Sequence, residues 1–153
     1  MKKNVLVVDD DASVRKSLSK VLTGTGYNVF EARNVSEAIE LFAAGQIHLV
    51  LLDIGLPVES GWDVFERITS QAPVLPIIII TGTANQHDTA IAAGVGALME
   101  KPLDVPRLLK AIQELLVESN ETRLCRLCGH GPNTRYLPAR PAGGQPKPRL
   151  RPG

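Results

Sequence analysis

Two runs of apolar residues, Leu49-Val50-Leu51-Leu52 and Ile77-Ile78-Ile79-Ile80, contain no polar position at all. A strand with one wet face alternates apolar and polar residues. A strand covered on both faces by helices does not need to. Runs this short, with no polar position, therefore point to a parallel sheet sandwiched between helices. Similar runs occur at Val5–Val8, Asn28–Glu31, His48–Leu52, Pro76–Ile80 and Ala97–Met99.

Amphipathic helical patterns fill the intervals. Val14, Leu18, Val21 and Leu22 form one stripe, and Val35, Ala38, Ile39 and Phe42 a second. Val105, Leu108, Leu109, Ile112, Leu115 and Leu116 form the clearest one. Trp62 and Phe65 read as the packing face of a third helix, and Gln86–Gly94 as a weaker fourth. Asn34 with Glu37 has the spacing of a capping box, and Asp104 before Val105-Pro106 is a helix entry signal. Strand and helix alternate five times, which predicts a (βα)5 α/β fold with a doubly wound five-stranded parallel sheet.

That architecture gathers polar residues that are distant in sequence. In an open parallel sheet, ligands bind beyond the carboxyl ends of the strands. Asp9 and Asp10 follow the first run and Asp53 the third. Thr81 closes the fourth, and Lys101 follows the fifth. Three carboxylates at one place repel unless cations balance them. A Mg²⁺ ion and Lys101 together would do so, and hard oxygen ligands suit Mg²⁺, with Mn²⁺ as the alternative ion. Asp10 and Asp9 are adjacent, so one is expected to coordinate directly and the other through water. A carboxylate such as Asp53 can act as a nucleophile towards a phosphoryl group, forming an acyl phosphate. Metal and lysine would neutralise charge on the transferring group. Thr81 could hydrogen-bond a phosphoryl oxygen, and Gly82 leaves space for that oxygen and for a donor.

Val-Val-Asp9-Asp10-Asp11 with Arg15, Leu-Leu-Asp53-Ile-Gly-Leu-Pro57, Ser60-Gly61, Ile-Thr81-Gly82 and Glu-Lys101-Pro102 follow one another in this order. Taken together they make residues 3–118 resemble a receiver domain of two-component response regulators. The resemblance implies a flavodoxin-like strand order 2-1-3-4-5. It implies that Asp53 is phosphorylated by a histidine kinase or a phosphotransfer protein. Asp9, Asp10, Asp53 and the backbone carbonyl of Gly55 would hold Mg²⁺. Thr81 would sense the phosphoryl group, Lys101 would pair with it, and the Lys101–Pro102 bond would be cis. A downstream protein would bind the face made by the fourth helix, the fifth strand and the fifth helix, and a homodimer is compatible with the family. Such a chain is a switch rather than an enzyme, at most assisting its own phosphorylation and dephosphorylation. One position departs from the family pattern. Leu98 stands where many receivers carry an aromatic residue that swings inward when the threonine moves. The loop from Thr81 to Asn85 would then move without an aromatic rotamer change. Gln86 and His87 are candidates for positioning a hydrolytic water.

Other readings fit less well. A flavodoxin-type phosphate loop would not hold three aspartates, which repel a bare phosphate. A haloacid-dehalogenase-type phosphatase needs a second aspartate two residues after the nucleophile, where this chain has Gly55. The remaining alternative is transcriptional control, with the receiver governing DNA binding through the tail or a partner.

Beyond Glu118 the apolar period stops. Residues 1–118 hold 10 Lys and Arg against 15 Asp and Glu, whereas residues 119–153 hold 7 against 1. That stretch also has six Pro and five Gly. Such a composition predicts a disordered basic tail, without the interleaved aromatics that direct DNA binding would favour. Cys125 and Cys128, with His130, supply fewer than the four ligands of a structural zinc, so they read as incidental reduced thiols. His48, just before an apolar run, reads as a partly buried structural residue. No run approaches the roughly 18 apolar residues of a membrane span, and four apolar residues after Met1-Lys2-Lys3-Asn4 are too few for a signal peptide. The expected location is cytoplasmic.

Overall fold

Each apolar run forms one strand of a single parallel sheet. The computed structural model describes residues 2–56, 60–82, 89–90, 93–129 and 134–139. Strands β1 (Asn4–Val8), β2 (Asn28–Ala32), β3 (Leu49–Asp53), β4 (Ile77–Thr81), β5 (Ala97–Glu100) and β6 (Arg135–Leu137) lie in the order β2-β1-β3-β4-β5-β6. Every neighbouring pair is parallel. The first five reproduce the flavodoxin-like order expected from the sequence.

Alternation along the strands divides the core into two layers. Leu6, Val8, Val50, Leu52, Ile77, Ile79 and Leu98 face helices α2 (Val35–Ala44) and α3 (Gly61–Gln71), which contribute Val35, Ala38, Val64, Phe65 and Ile68. Val5, Val7, Leu49, Leu51, Ile78, Ile80, Ala97 and Met99 face α1 (Ala12–Gly24) and α4 (Val105–Val117), which contribute Leu18, Leu22, Leu108, Ala111, Ile112 and Leu115. β3 and β4 are buried at every residue, which is why their sequences carry no polar alternation. The predicted fourth helix, Gln86–Gly94, lies mostly outside the described residues; Thr89, Ala90 and Ala93 are helical.

Local signals set the helix ends. The Asp11 side chain caps α1, accepting from the N–H groups of Ser13 and Val14. Asn34 Oδ1 accepts from Glu37 N, and Glu37 Oε1 in return accepts from Arg33 N. Ser60 caps α3 and Asp104 caps α4. Gly61 starts α3 hard against the end of β3. A Cβ there would lie 2.4 Å from Ile54 Cα and 2.5 Å from the Asp53 carbonyl oxygen. Only glycine permits that approach, so the Ser60-Gly61 pair helps set where Asp53 stands.

The structure departs from the sequence reading after Glu118. Residues 120–127 form helix α5 (Asn120–Leu127), capped by Ser119, and residues 135–137 form β6 on the outer edge of β5. The extension is held by polar contacts that hydrophobic periodicity does not register. Arg126, 6% exposed, pairs with Glu118. Arg123 donates to the carbonyls of Leu115, Leu116 and Val74, closing the end of α4. Gly94, at φ +71°, lets α5 approach so closely that a Cβ would stand 2.8 Å from Leu127 Cα. Residues 140–153 of the predicted tail lie outside the described residues.

Replacing Arg126 by alanine leaves Glu118 partly stranded in a buried position. Loss of one partner from a buried ion pair costs about 3 kcal/mol. The Arg126→Ala chain should show a correspondingly lower urea midpoint than wild type, whereas a dispensable tail would leave the midpoint unchanged.

Candidate functional site

The apolar columns of one sheet layer end in charge. Val5 and Val7 lead to Asp9, Leu49 and Leu51 lead to Asp53, and Ala97 and Met99 lead to Lys101, all on one alternation. Because β1 and β3 are neighbours and β4 separates β3 from β5, the long Lys101 side chain must reach across. Its Nζ lies 3.1 Å from Asp53 Oδ2 and 3.2 Å from Asp9 Oδ2.

The backbone fixes the carboxylates. Asp9 is 1% exposed and Asp53 4%. Asp9 N donates to the Ala32 carbonyl on β2, and Asp11 N donates to Asp9 Oδ1 at 2.9 Å. Arg15 Nη1 donates to the Asp9 carbonyl at 2.8 Å, bracing the turn from the first helix. Gly55 N donates to Asp53 Oδ1 at 2.8 Å, folding the backbone of β3 back around its own last side chain.

Asp10 is exposed beside them, and one oxygen from each of Asp9, Asp10 and Asp53 lies within 4.8 Å of the others. These three carry three negative charges, and Lys101 offsets one. Asp9 Oδ2 is buried without a well-formed hydrogen bond. Hard oxygen donors, a buried Asp9 Oδ2 met only by the shared Lys101 ammonium, and two uncompensated charges fit a divalent cation. Burial, opposed by the Asp11 N–H and reinforced by Asp53, pushes the Asp9 carboxyl above its usual range. Burial alone would lower Lys101, but the Asp53 and Asp9 carboxylates outweigh it and hold the ammonium charged.

The cleft above these groups is lined by Asp10, Asp53, Gly55, Thr81, Gly82 and Lys101, with Ser60 and Trp62 on the α3 side. Thr81 is 1% exposed at the end of β4, and its carbonyl accepts from Lys101 N at 2.8 Å. Gly82 is exposed with open space where a Cβ would sit, so the room there belongs to the cleft rather than to the absence of a side chain. The Lys101–Pro102 bond is cis. Leu98 is 1% exposed in the α2/α3 layer. Pro57, Gln86 and His87 lie outside the described residues. Trp62 packs edge-on against Phe65 at 5.6 Å, as its hydrophobic spacing indicates, but it also borders the cleft. Periodicity alone could not disclose that second position. Cys125 and Cys128 are exposed on the far extension, remote from the cleft in sequence and lining no part of it. His48 Nδ1 accepts from Asn4 N, a structural tie between β1 and the start of β3. Among the described residues no helix is long and apolar enough to cross a membrane.

The raised Asp9 pKa has a definite consequence for stability. The folded chain holds the Asp9 proton to higher pH than the unfolded chain does. That contribution is complete below the ordinary carboxylate range and is lost as pH rises through the raised value. Without divalent cations, wild type should therefore lose stability over that interval, and Asp9→Asn should be the more stable chain at pH 7. Adding Mg²⁺ should reverse the ranking. Thermal unfolding with EDTA and with Mg²⁺ reads both effects.

Comparison with known proteins agrees with this geometry. Residues 5–113 match the family model of the response regulator receiver domain. The response regulator MprA of Mycolicibacterium vanbaalenii is 33% identical over 114 residues, covering 73% of this chain and 49% of MprA. The autoinducer 1 sensor kinase/phosphatase LuxN of Vibrio campbellii is 31% identical over 112 residues, 73% of this chain and 13% of LuxN. The chain thus spans half or less of these relatives. Among solved structures, a CheY-like receiver domain protein from Methanospirillum hungatei superposes with a TM-score of 0.72 at 30% identity, covering 76% of this chain and 94% of that one. The response regulator TrrA of Thermotoga maritima, solved in complex with Mg²⁺ and BeF, gives 0.69 at 29% identity, covering 74% and 98%. The chain belongs to the response regulator receiver family.

Proposed function

We propose that this chain is a phosphoacceptor switch in a two-component relay, with Asp53 receiving the phosphoryl group. The observation that carries the reading is the three-carboxylate cluster around one lysine, with two negative charges left for a divalent cation. Asp9, Asp10, Asp53 and the Gly55 carbonyl are the ligands assigned to Mg²⁺. When bound, the ion supplies positive charge to the phosphoryl oxygens.

A carboxylate oxygen of Asp53 attacks phosphorus, and the bond from phosphorus to the donor breaks with its electron pair leaving on the donor. The donor is a histidine kinase or a phosphotransfer protein, the partners with which receiver domains interact. The Lys101 ammonium already stands at hydrogen-bond distance from Asp53 and neutralises charge on the transferring group. Thr81 borders the same cleft, where its hydroxyl can take up a phosphoryl oxygen. Buried walls at Asp53 and Thr81 keep those interactions from being screened by water. The chemistry serves signalling rather than turnover. The phosphorylated state differs in charge at one buried end of a sheet, and a two-state element nearby turns that difference into altered contacts with a protein partner.

Acetyl phosphate with Mg²⁺ should add one phosphoryl group to wild type, as read by intact mass, and none to Asp53→Asn or in EDTA. Lys101→Ala should slow the addition by on the order of 100-fold. Equal labelling of Asp53→Asn would place the acceptor elsewhere and overturn the reading.

A further inference from the structure

The added strand β6 meets the phosphoacceptor end of the sheet through the Tyr136 hydroxyl and through Leu137, which packs partly buried against the α1/α4 layer. It pairs with β5 over three positions only: Ala97 with Arg135, Leu98 with Tyr136 and Met99 with Leu137. Its two ends are held very differently. At the start, Thr134 Oγ1 donates to the Val95 carbonyl at 2.8 Å in a buried position. Arg135 there pairs with Glu118 at 3.3 Å and Glu114 at 3.6 Å. Further along, the Tyr136 hydroxyl donates to Glu100 Oε1 at 2.5 Å on the surface, with Tyr136 43% exposed.

Glu100 connects that contact to the site. It is the register partner of Thr81 and the residue before Lys101. Ile79 and Leu98 lie in the same core layer, so Thr81 and Glu100, each two residues on, project towards that side. Tyr136, the register partner of Leu98, reaches along it to Glu100. Thr81, Glu100 and Tyr136 thus form a contiguous row leading from the cleft to the sheet edge.

We propose that β6 is the output element of the switch: phosphorylation of Asp53 loosens the Tyr136 end of β6 while the Thr134–Arg135 end stays anchored. The inference rests on the phosphoacceptor reading of the site. A phosphoryl group adds negative charge beside Asp53 and draws the Lys101 ammonium and the Thr81 hydroxyl towards itself. Both adjoin Glu100, one in sequence and one in register. Glu100 is the register partner of Thr81, so a shift of Thr81 towards the phosphoryl group carries the end of β5, and Glu100 with it, away from the Tyr136 hydroxyl. β4 cannot yield, because it is buried at every residue between two neighbours. A three-residue edge strand whose middle residue is held by an exposed hydrogen bond and whose last residue, Leu137, is only partly buried against the core can. β6 lies outside the residues 5–113 matched by the family model.

Amide hydrogen exchange on the full chain tests it, with and without acetyl phosphate and Mg²⁺, phosphoryl occupancy being read by mass on the same samples. Residues 136–139 of wild type should exchange several-fold faster when phosphorylated, with 134–135 and 120–127 unchanged. Unphosphorylated Tyr136→Phe should already show the faster exchange and gain little on phosphorylation. A phosphorylated wild type with unaltered exchange at 136–139, or a Tyr136→Phe chain that matches wild type before phosphorylation, overturns the inference and leaves the phosphoacceptor reading intact. A wild type that takes up no phosphoryl group overturns both.

Discussion

Two buried carboxylates, Asp9 and Asp53, share one ammonium at the end of a parallel sheet, and that contact sets the demands on the structure around it. Like charges this close oppose burial. The fold tolerates them because backbone donors hold one oxygen of each, from Asp11 N and Gly55 N, while Lys101 meets the other oxygen of both. The arrangement remains short of positive charge. A site built this way is poised to take up cations, and any further anion transferred to it perturbs a balance that is already strained.

The sheet makes the arrangement rigid. Side chains on β1 and β3 that are buried in one core layer end in Asp9 and Asp53, so the positions of these carboxylates are inherited from close-packed Val and Leu columns. The close approach of Gly61 to Ile54 and Asp53 ties the start of α3 to the same point. Thr81 and Glu100 end β4 and β5, and Lys101 follows; Thr81 is buried, while Glu100 and Lys101 are only partly covered. A rigid interior beneath a partly exposed edge suits the proposed switch, since a small local change must be passed on rather than absorbed.

Much of this was legible from residue order. Unalternated runs marked doubly covered strands, and polar residues at their carboxyl ends marked the cleft, because strand direction alone places those ends together. Asn34 and Asp104 announced helix starts through chemistry that acts over three or four residues. What escaped was held by long-range polar contacts. α5 depends on Arg126 finding Glu118, Arg123 finding three carbonyls, and Gly94 admitting Leu127. None of these has a periodic signature, and a Pro, Gly and Arg-rich composition points the other way. β6 is three residues long and carries no alternating pattern to recognise. Trp62 illustrates the opposite limit: its spacing fits the packing of α3, yet the fold also sets it at the edge of the cleft.

The central claim is that Asp9, Asp10 and Asp53 form a cation site completed by charge rather than a merely acidic turn. Trp62, the single tryptophan of the chain, reports on it directly. Its fluorescence should change saturably as Mg²⁺ is added at constant ionic strength, and the change should vanish in both Asp9→Asn and Asp53→Asn. A wild type whose signal is indifferent to Mg²⁺, or variants that titrate as wild type does, would contradict the account.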